Sequence, residues 1–133
     1  MNYNDLVHLY FERSNALQNY WTVYVVVIGG LLAFSSLRKE PDMVTSVLIS
    51  ILFAFFAYKN CGAIEEVSYQ RLAVLEGMKN ATMDATDTST KELLEPTLRP
   101  PAVPGVTQFH LLSDLLTLGT LWAMEARRRR NKI

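Results

Sequence analysis

The chain holds a single cysteine, Cys61, which excludes an internal disulfide and any zinc site built from several thiolates. Histidine is nearly as scarce, with only His8 and His110. There is no phosphate-cradling glycine loop, no zinc-ligand spacing and no nucleophile elbow. Glu65 and Glu66 make a poor acid–base pair, because adjacent helical residues point about 100° apart. With so few acids, bases and nucleophiles, the expected class is a non-catalytic protein that needs no cofactor or metal. Charge of one sign is missing too. Thirteen basic and thirteen acidic residues cancel, so no strong field draws the chain to nucleic acid.

Charge is also absent locally. Ser14–Leu37 is 24 residues without a charge and Met43–Tyr58 is another 16, extended to Ile64 if Lys59 is passed. A bilayer core is about 30 Å thick and takes about 20 helical residues to cross. Within lipid the backbone must satisfy its own hydrogen bonds, so both runs are expected to be helices despite the β-branched Val25–Ile28. Tyr20, Trp21 and Tyr24 at one end of the first run, and Tyr58 and Lys59 closing the second, suit the headgroup level. The first run is too long for the apolar stretch of a cleaved signal peptide. An integral membrane protein is the expected class, in a plasma or inner membrane.

Five residues, Arg38–Asp42, join the runs, with Pro41 to break the first helix and Asp42 to cap the second. So short a link predicts an antiparallel helical hairpin. Small residues, namely Gly29, Gly30 and Ala33 on the first helix and Ser46, Ser50, Ala54 and Ala57 on the second, suit close packing in lipid. They serve either the hairpin or contacts between subunits. The pattern continues outside the apolar runs. Leu6, Leu9, Tyr10, Arg13 and Leu17 precede the first, and Ile64, Val67, Arg71, Leu75 and Met78 follow the second, all at helical spacing. Two long helices are expected, about 5–37 (capped by Asn4) and about 42–79. Within residues 1–79, 20–37 and 43–62 lie in the membrane, and 5–19 and 63–79 form a two-helix stalk. Pairing about the turn sets Arg13 against Glu65 and Glu66, and Arg71 near Asp5 or Glu12.

Residues 80–106 are expected to be a linker. Asn80–Lys91 is polar and rich in hydroxyls, with a glycosylation tripeptide at Asn80–Thr82 and no calcium-loop spacing at Asp84 and Asp87. Glu95–Gly105 carries four prolines and predicts a stiff spacer closed by a turn at Pro104-Gly105.

Residues 107–133 are expected to form an amphipathic C-terminal helix, capped by Thr107 and ending in an arginine-rich tail. His110, Ser113, Asp114, Thr117 and Thr120 make a polar stripe on a leucine-rich cylinder. This helix could lie in the interface with the stripe towards water, span the bilayer with the stripe facing protein or a pore, or pack on the stalk. Its charge-free run is only ten residues, Leu115–Met124, and an aspartate near a helix centre costs about 2.5–3.5 kcal/mol on insertion scales. That favours the interface. His110 and Asp114, at i and i+4, are expected to hydrogen-bond each other or to be solvated rather than to form half of a metal site or a proton relay.

Basic residues near the membrane set orientation. With two spans the count is two at the loop against eight elsewhere; with three it is seven at loop and tail against three. Either way Arg127, Arg128, Arg129 and Arg130 are cytoplasmic and suit anionic lipid. The expected function is an oligomerising structural or accessory subunit acting through helix–helix contacts, with a second copy or another membrane protein as partner. Small size, two or three spans and a basic tail resemble holins in architecture, without a shared motif, which implies a pore-forming alternative. A membrane-anchored sensor or regulator is the third.

Overall fold

The computed structural model describes residues 2–81 and 88–132, and every regular element among them is helical. α1 spans Tyr3–Leu37, α2 Met43–Asn80, α3 Thr88–Leu94 and α4 Val103–Arg130, with a 3-10 turn at Glu95–Thr97. Thr82, Asp84 and Asp87, on which the sequon and calcium-loop readings fell, lie outside the described residues. α1 and α2 are long and apolar enough to cross a membrane; α4 does not meet that criterion.

The helix ends have local causes, and some differ from expectation. α1 is capped by Asn2 rather than Asn4: the Asp5 amide donates to Asn2 Oδ1 at 2.9 Å and the Asn2 amide to Asp5 Oδ2 at 3.0 Å, a reciprocal capping box. α1 stops at Leu37, where Arg38 turns extended ahead of Pro41. Asp42 caps α2 as expected, accepting from the Thr45 amide at 3.2 Å. The Thr45 hydroxyl and amide beside Asp42 hold its carboxyl below the usual carboxylate range. α4 begins at Val103, so Pro104-Gly105 is its first turn rather than a turn closing the spacer. A proline there gives up an amide that has no helical partner anyway. Thr107 is therefore not a cap.

One repeat organises the bundle. Tyr3, Tyr10, Leu17, Tyr24 and Leu31 recur every seven residues on α1, and Ser46, Phe53, Asn60, Val67 and Val74 do so on α2. On α4 the inward positions are Val103, Thr107, His110, Asp114, Thr117 and Leu121, alternating steps of four and three, and then Glu125 four residues on. A seven-residue period keeps one seam of each helix against its neighbours over a long distance. α1 and α2 run antiparallel, with Tyr10 beside Arg71, Tyr20 beside Asn60 and Arg38 beside Ser46. α4 lies against both and runs parallel to α1: Thr107 meets Glu65 at one end, and Arg128 meets Ser35 at the other.

Away from the loop end the seam is an ordinary apolar core. Tyr3, Tyr10, Val74, Leu75 and Met78 are buried together, with Leu6, Leu9 and Leu98 against them. Leu98 follows the 3-10 turn, so the proline-rich segment packs on the α1–α2 pair. Lys91 supports it there, its Nζ donating to the carbonyls of Lys79 and Ala81 at 3.3 and 3.5 Å. The expected ion pairs do not form. Arg13 donates to Gln70 and Glu12, while Arg71 donates to the Tyr10 hydroxyl at 2.7 Å and sits over its ring.

Towards the loop the pattern inverts. The buried side chains include Tyr24, Ser35, Ser46, Asn60, His110, Thr117 and Glu125, whereas Val25, Val26, Val44, Leu48, Leu52, Phe55, Leu115 and Leu116 are exposed. The small residues divide here. Ser46 and Ala57 are buried in the helix contacts and Ser50 is half-buried, but Gly29, Gly30, Ala33 and Ala54 face outward. A Cβ built on Gly29 or Gly30 meets nothing within 4 Å. Those α1 residues do not pack the hairpin.

Met78 is fully buried in the far-end core. Met78→Ala is expected to destabilise the fold by roughly 2–5 kcal/mol. Leu115→Ala, on the outer surface, should change stability by no more than about 0.5 kcal/mol. Unfolding midpoints in detergent check both.

Candidate functional site

Two polar layers lie between the helices, both built by α4. The first is near the Lys59 end. Asp114 Oδ1 accepts from the Tyr24 hydroxyl at 2.7 Å, and Asp114 Oδ2 lies 2.9 Å from His110 Nδ1. His110 Nε2 is 3.2 Å from Asn60 Oδ1, and Asn60 Nδ2 donates to the Tyr20 carbonyl at 3.2 Å. The Tyr24 and His110 rings are 4.2 Å apart, and Trp21 stands against both. His110 is fully buried and Tyr24 is 2% exposed.

The hydrogen-bond pattern orients this layer. The Tyr20 carbonyl can only accept, so the Asn60 amide nitrogen faces it and Asn60 Oδ1 is turned to His110 Nε2. The other ring nitrogen of His110 is on Asp114 Oδ2, and the Tyr24 hydroxyl donates to Asp114 Oδ1, so each buried polar group has a partner.

The second layer is at the loop end. Glu125, 1% exposed, accepts from Ser46 Oγ at 3.1 Å, from Arg128 Nη2 at 3.0 Å and Nε at 3.3 Å, and from Arg129 Nε at 3.3 Å. Arg38 lies 3.8 Å from the same carboxylate and donates to Ser46 Oγ at 3.1 Å. Arg128 Nη1 reaches across to the Ser35 carbonyl at 2.8 Å, satisfying an acceptor that the end of α1 leaves without a helical donor. One carboxylate thereby ties the C-terminal end of α1, the first turn of α2 and the last turns of α4. Phe53, Ala57 and Leu121 are buried between the layers.

Of the expected stripe, His110, Asp114 and Thr117 face inward, and the His110–Asp114 hydrogen bond is present. Ser113 and Thr120 lie off the seam, their hydroxyls donating to the carbonyls of Phe109 and Leu116. The inward residues of the stripe meet α1 and α2, which corrects the expectation of a stripe turned towards water. Tyr24, expected at the headgroup level with Tyr20 and Trp21, is an interior residue. Sequence reasoning missed Glu125 as well, although it lies four residues beyond Leu121 on the face of His110 and Asp114. It also missed Asn60, one heptad beyond Phe53. Cys61 is a free, half-buried thiol outside both layers. Among the described residues no group of three His, Cys, Asp or Glu could hold a metal ion.

In comparisons with known proteins, no protein-family model, no curated protein and no solved structure matches the chain.

Glu125→Ala leaves Arg38 and Arg128 without their buried carboxylate and is expected to cost about 3–5 kcal/mol. Tyr24→Phe and Asp114→Asn, combined in a double-mutant cycle, should show a coupling of about 0.6–1.7 kcal/mol, the range for interhelical hydrogen bonds in lipid. Denaturation in mixed micelles measures both.

Proposed function

We propose that this chain is a non-catalytic integral membrane protein with three spans, formed by α1, α2 and α4, acting as a structural or accessory subunit. The observation that carries the reading is the inversion at the loop end, where Glu125, His110 and Asn60 are inside and valine, leucine and phenylalanine are outside. Water would favour the reverse arrangement, and lipid favours this one. α4 is short of apolar residues for an independent span, but its costly groups are hydrogen-bonded to α1 and α2. From His110 to Arg128 is 18 residues, about 27 Å of helix, close to the thickness of a hydrocarbon core.

Three spans place loop and tail on one side with Arg38, Lys39, Arg127–Arg130 and Lys132, against Arg13, Lys59 and Arg71 on the other. The Lys132 Nζ to Glu40 Oε2 contact of 2.7 Å joins tail to loop. Positive charge marks the cytoplasmic side, so the far-end core with α3 is exported. Asp114 has both oxygens engaged by Tyr24 and His110, which disfavours α4 as a pore lining. Gly29, Gly30 and Ala33 face outward, and Gly30 lines an open apolar groove of about 530 Å³ with Phe34 and Leu48. A helix of a second copy or another membrane protein can approach the backbone closely there.

Cysteines placed at Ala85 and Lys132 in a Cys61→Ser background test the topology. An impermeant maleimide applied to intact cells is expected to label position 85 and to spare 132. Labelling of both, or of neither, contradicts three spans. Gly30→Leu is expected to lower crosslinking to the partner while leaving the labelling pattern unchanged.

A further inference from the structure

A second concavity at the loop end carries a more specific assignment. It is a pocket of about 250 Å³ between the last turns of α1 and α4, lined by Ser36, Arg38, Met124, Arg127, Arg128 and Asn131. Three of its six lining residues are arginines and none is acidic. We propose that this pocket binds the phosphate of an anionic phospholipid headgroup, an inference that rests on the membrane reading.

Charge carries the argument. Arg38, Arg128 and Arg129 all converge on one carboxylate, Glu125, and Arg127 adds a guanidinium that contacts no carboxylate among the described residues. The other acids nearby are already engaged. Asp42 is bound by the Thr45 amide and hydroxyl, and Glu40 by Lys132. Four guanidiniums around one buried carboxylate leave an excess of positive charge in a partly enclosed space. The negative ends of the α1 and α4 dipoles are only about half a charge each. Arg128 already satisfies the Ser35 carbonyl at one of them.

Geometry supplies the rest. Arg38 and Arg128 are held in place by Ser46, Ser35 and Glu125, so their forks are ordered before a ligand arrives. Planar guanidinium forks match phosphate oxygens in pairs. Ser36 and Asn131 add polar side chains at the rim, and Met124 gives an apolar wall on the side that continues down α4. A headgroup phosphate fits at this depth, because the pocket sits where both helices end beside the loop.

Native mass spectrometry of the full chain, released from uncharged micelles containing equal phosphatidylglycerol and phosphatidylcholine, tests the proposal. The expected result is one retained phosphatidylglycerol. Its occupancy should fall at least about tenfold in Arg127→Gln, recover only in part in Arg127→Lys, which restores the charge without the fork, and stay unchanged in Arg130→Gln. Equal loss in Arg127→Gln and Arg130→Gln would point to the diffuse field of the tail and overturn the pocket. Absence of a preference for phosphatidylglycerol would overturn it too. Displacement of the lipid by millimolar inorganic phosphate would overturn the lipid assignment in favour of free phosphate. Failure of the membrane reading shows separately, as a chain that stays monodisperse without micelles. Arg127 has no partner whose loss would unfold the chain, and an unchanged unfolding midpoint in Arg127→Gln confirms that the effect is local.

Discussion

A helix that carries His110, Asp114 and Glu125 along one face has few places to go. In a weakly polar environment each of these groups needs a hydrogen-bonding partner, and an unpaired charge costs several kcal/mol. The partners come from α1, α2 and the turn between them: Tyr24 for Asp114, Asn60 for His110, and Ser46 and Arg38 for Glu125. That requirement sets the direction of α4, its rotation about its own axis and its register against the other two helices. It also brings tail and loop together, which in turn gathers the arginines around Glu125.

The two layers divide the labour. The loop-end layer uses a full charge pair and a network of arginines, which suits the edge of a hydrocarbon core where long basic side chains reach water. The layer near Lys59, at the other end of the proposed span, is held by hydrogen bonds among Tyr24, His110, Asp114 and Asn60. Between them lie about 16 Å of helix, from Asp114 to Glu125, with Phe53, Ala57 and Leu121 buried. Polar contacts at both ends and apolar packing in the middle specify register more sharply than either would alone, because a slip of one residue breaks the hydrogen bonds that cross between helices in both layers.

Much of the architecture was legible in the residues. Two charge-free runs joined by Arg38–Asp42 gave the helices α1 and α2, and Asp42 gave the start of the second. The register was harder, since the seven-residue period on α1 runs through tyrosines and leucines that interrupt no obvious pattern. The α4 stripe was half visible. His110, Asp114 and Thr117 stand out as polar among leucines, but Ser113 and Thr120 satisfy themselves on their own helix, and hydroxyls of that kind mark no face. Glu125 was hidden by the arginines that follow it, because a carboxylate next to a basic tail reads as part of the solvated end. Tyr24 was hidden by its neighbours Tyr20 and Trp21, which made an interior hydrogen-bond donor resemble an interfacial aromatic. The glycines left two partners open for a related reason: small residues permit close approach without naming the helix that approaches.

The central claim is that lipid surrounds the outer face of α1, α2 and α4 while their shared seam is closed to water. Spin labels at Val25, Phe55 and Leu115, all exposed and outside the Gly30 groove, with a fourth at Thr117, report this directly in reconstituted vesicles. The first three are expected to be relaxed strongly by oxygen and weakly by an aqueous nickel chelate, with the label at Thr117 shielded from both. Strong relaxation by the nickel chelate at Phe55 and Leu115 would contradict it.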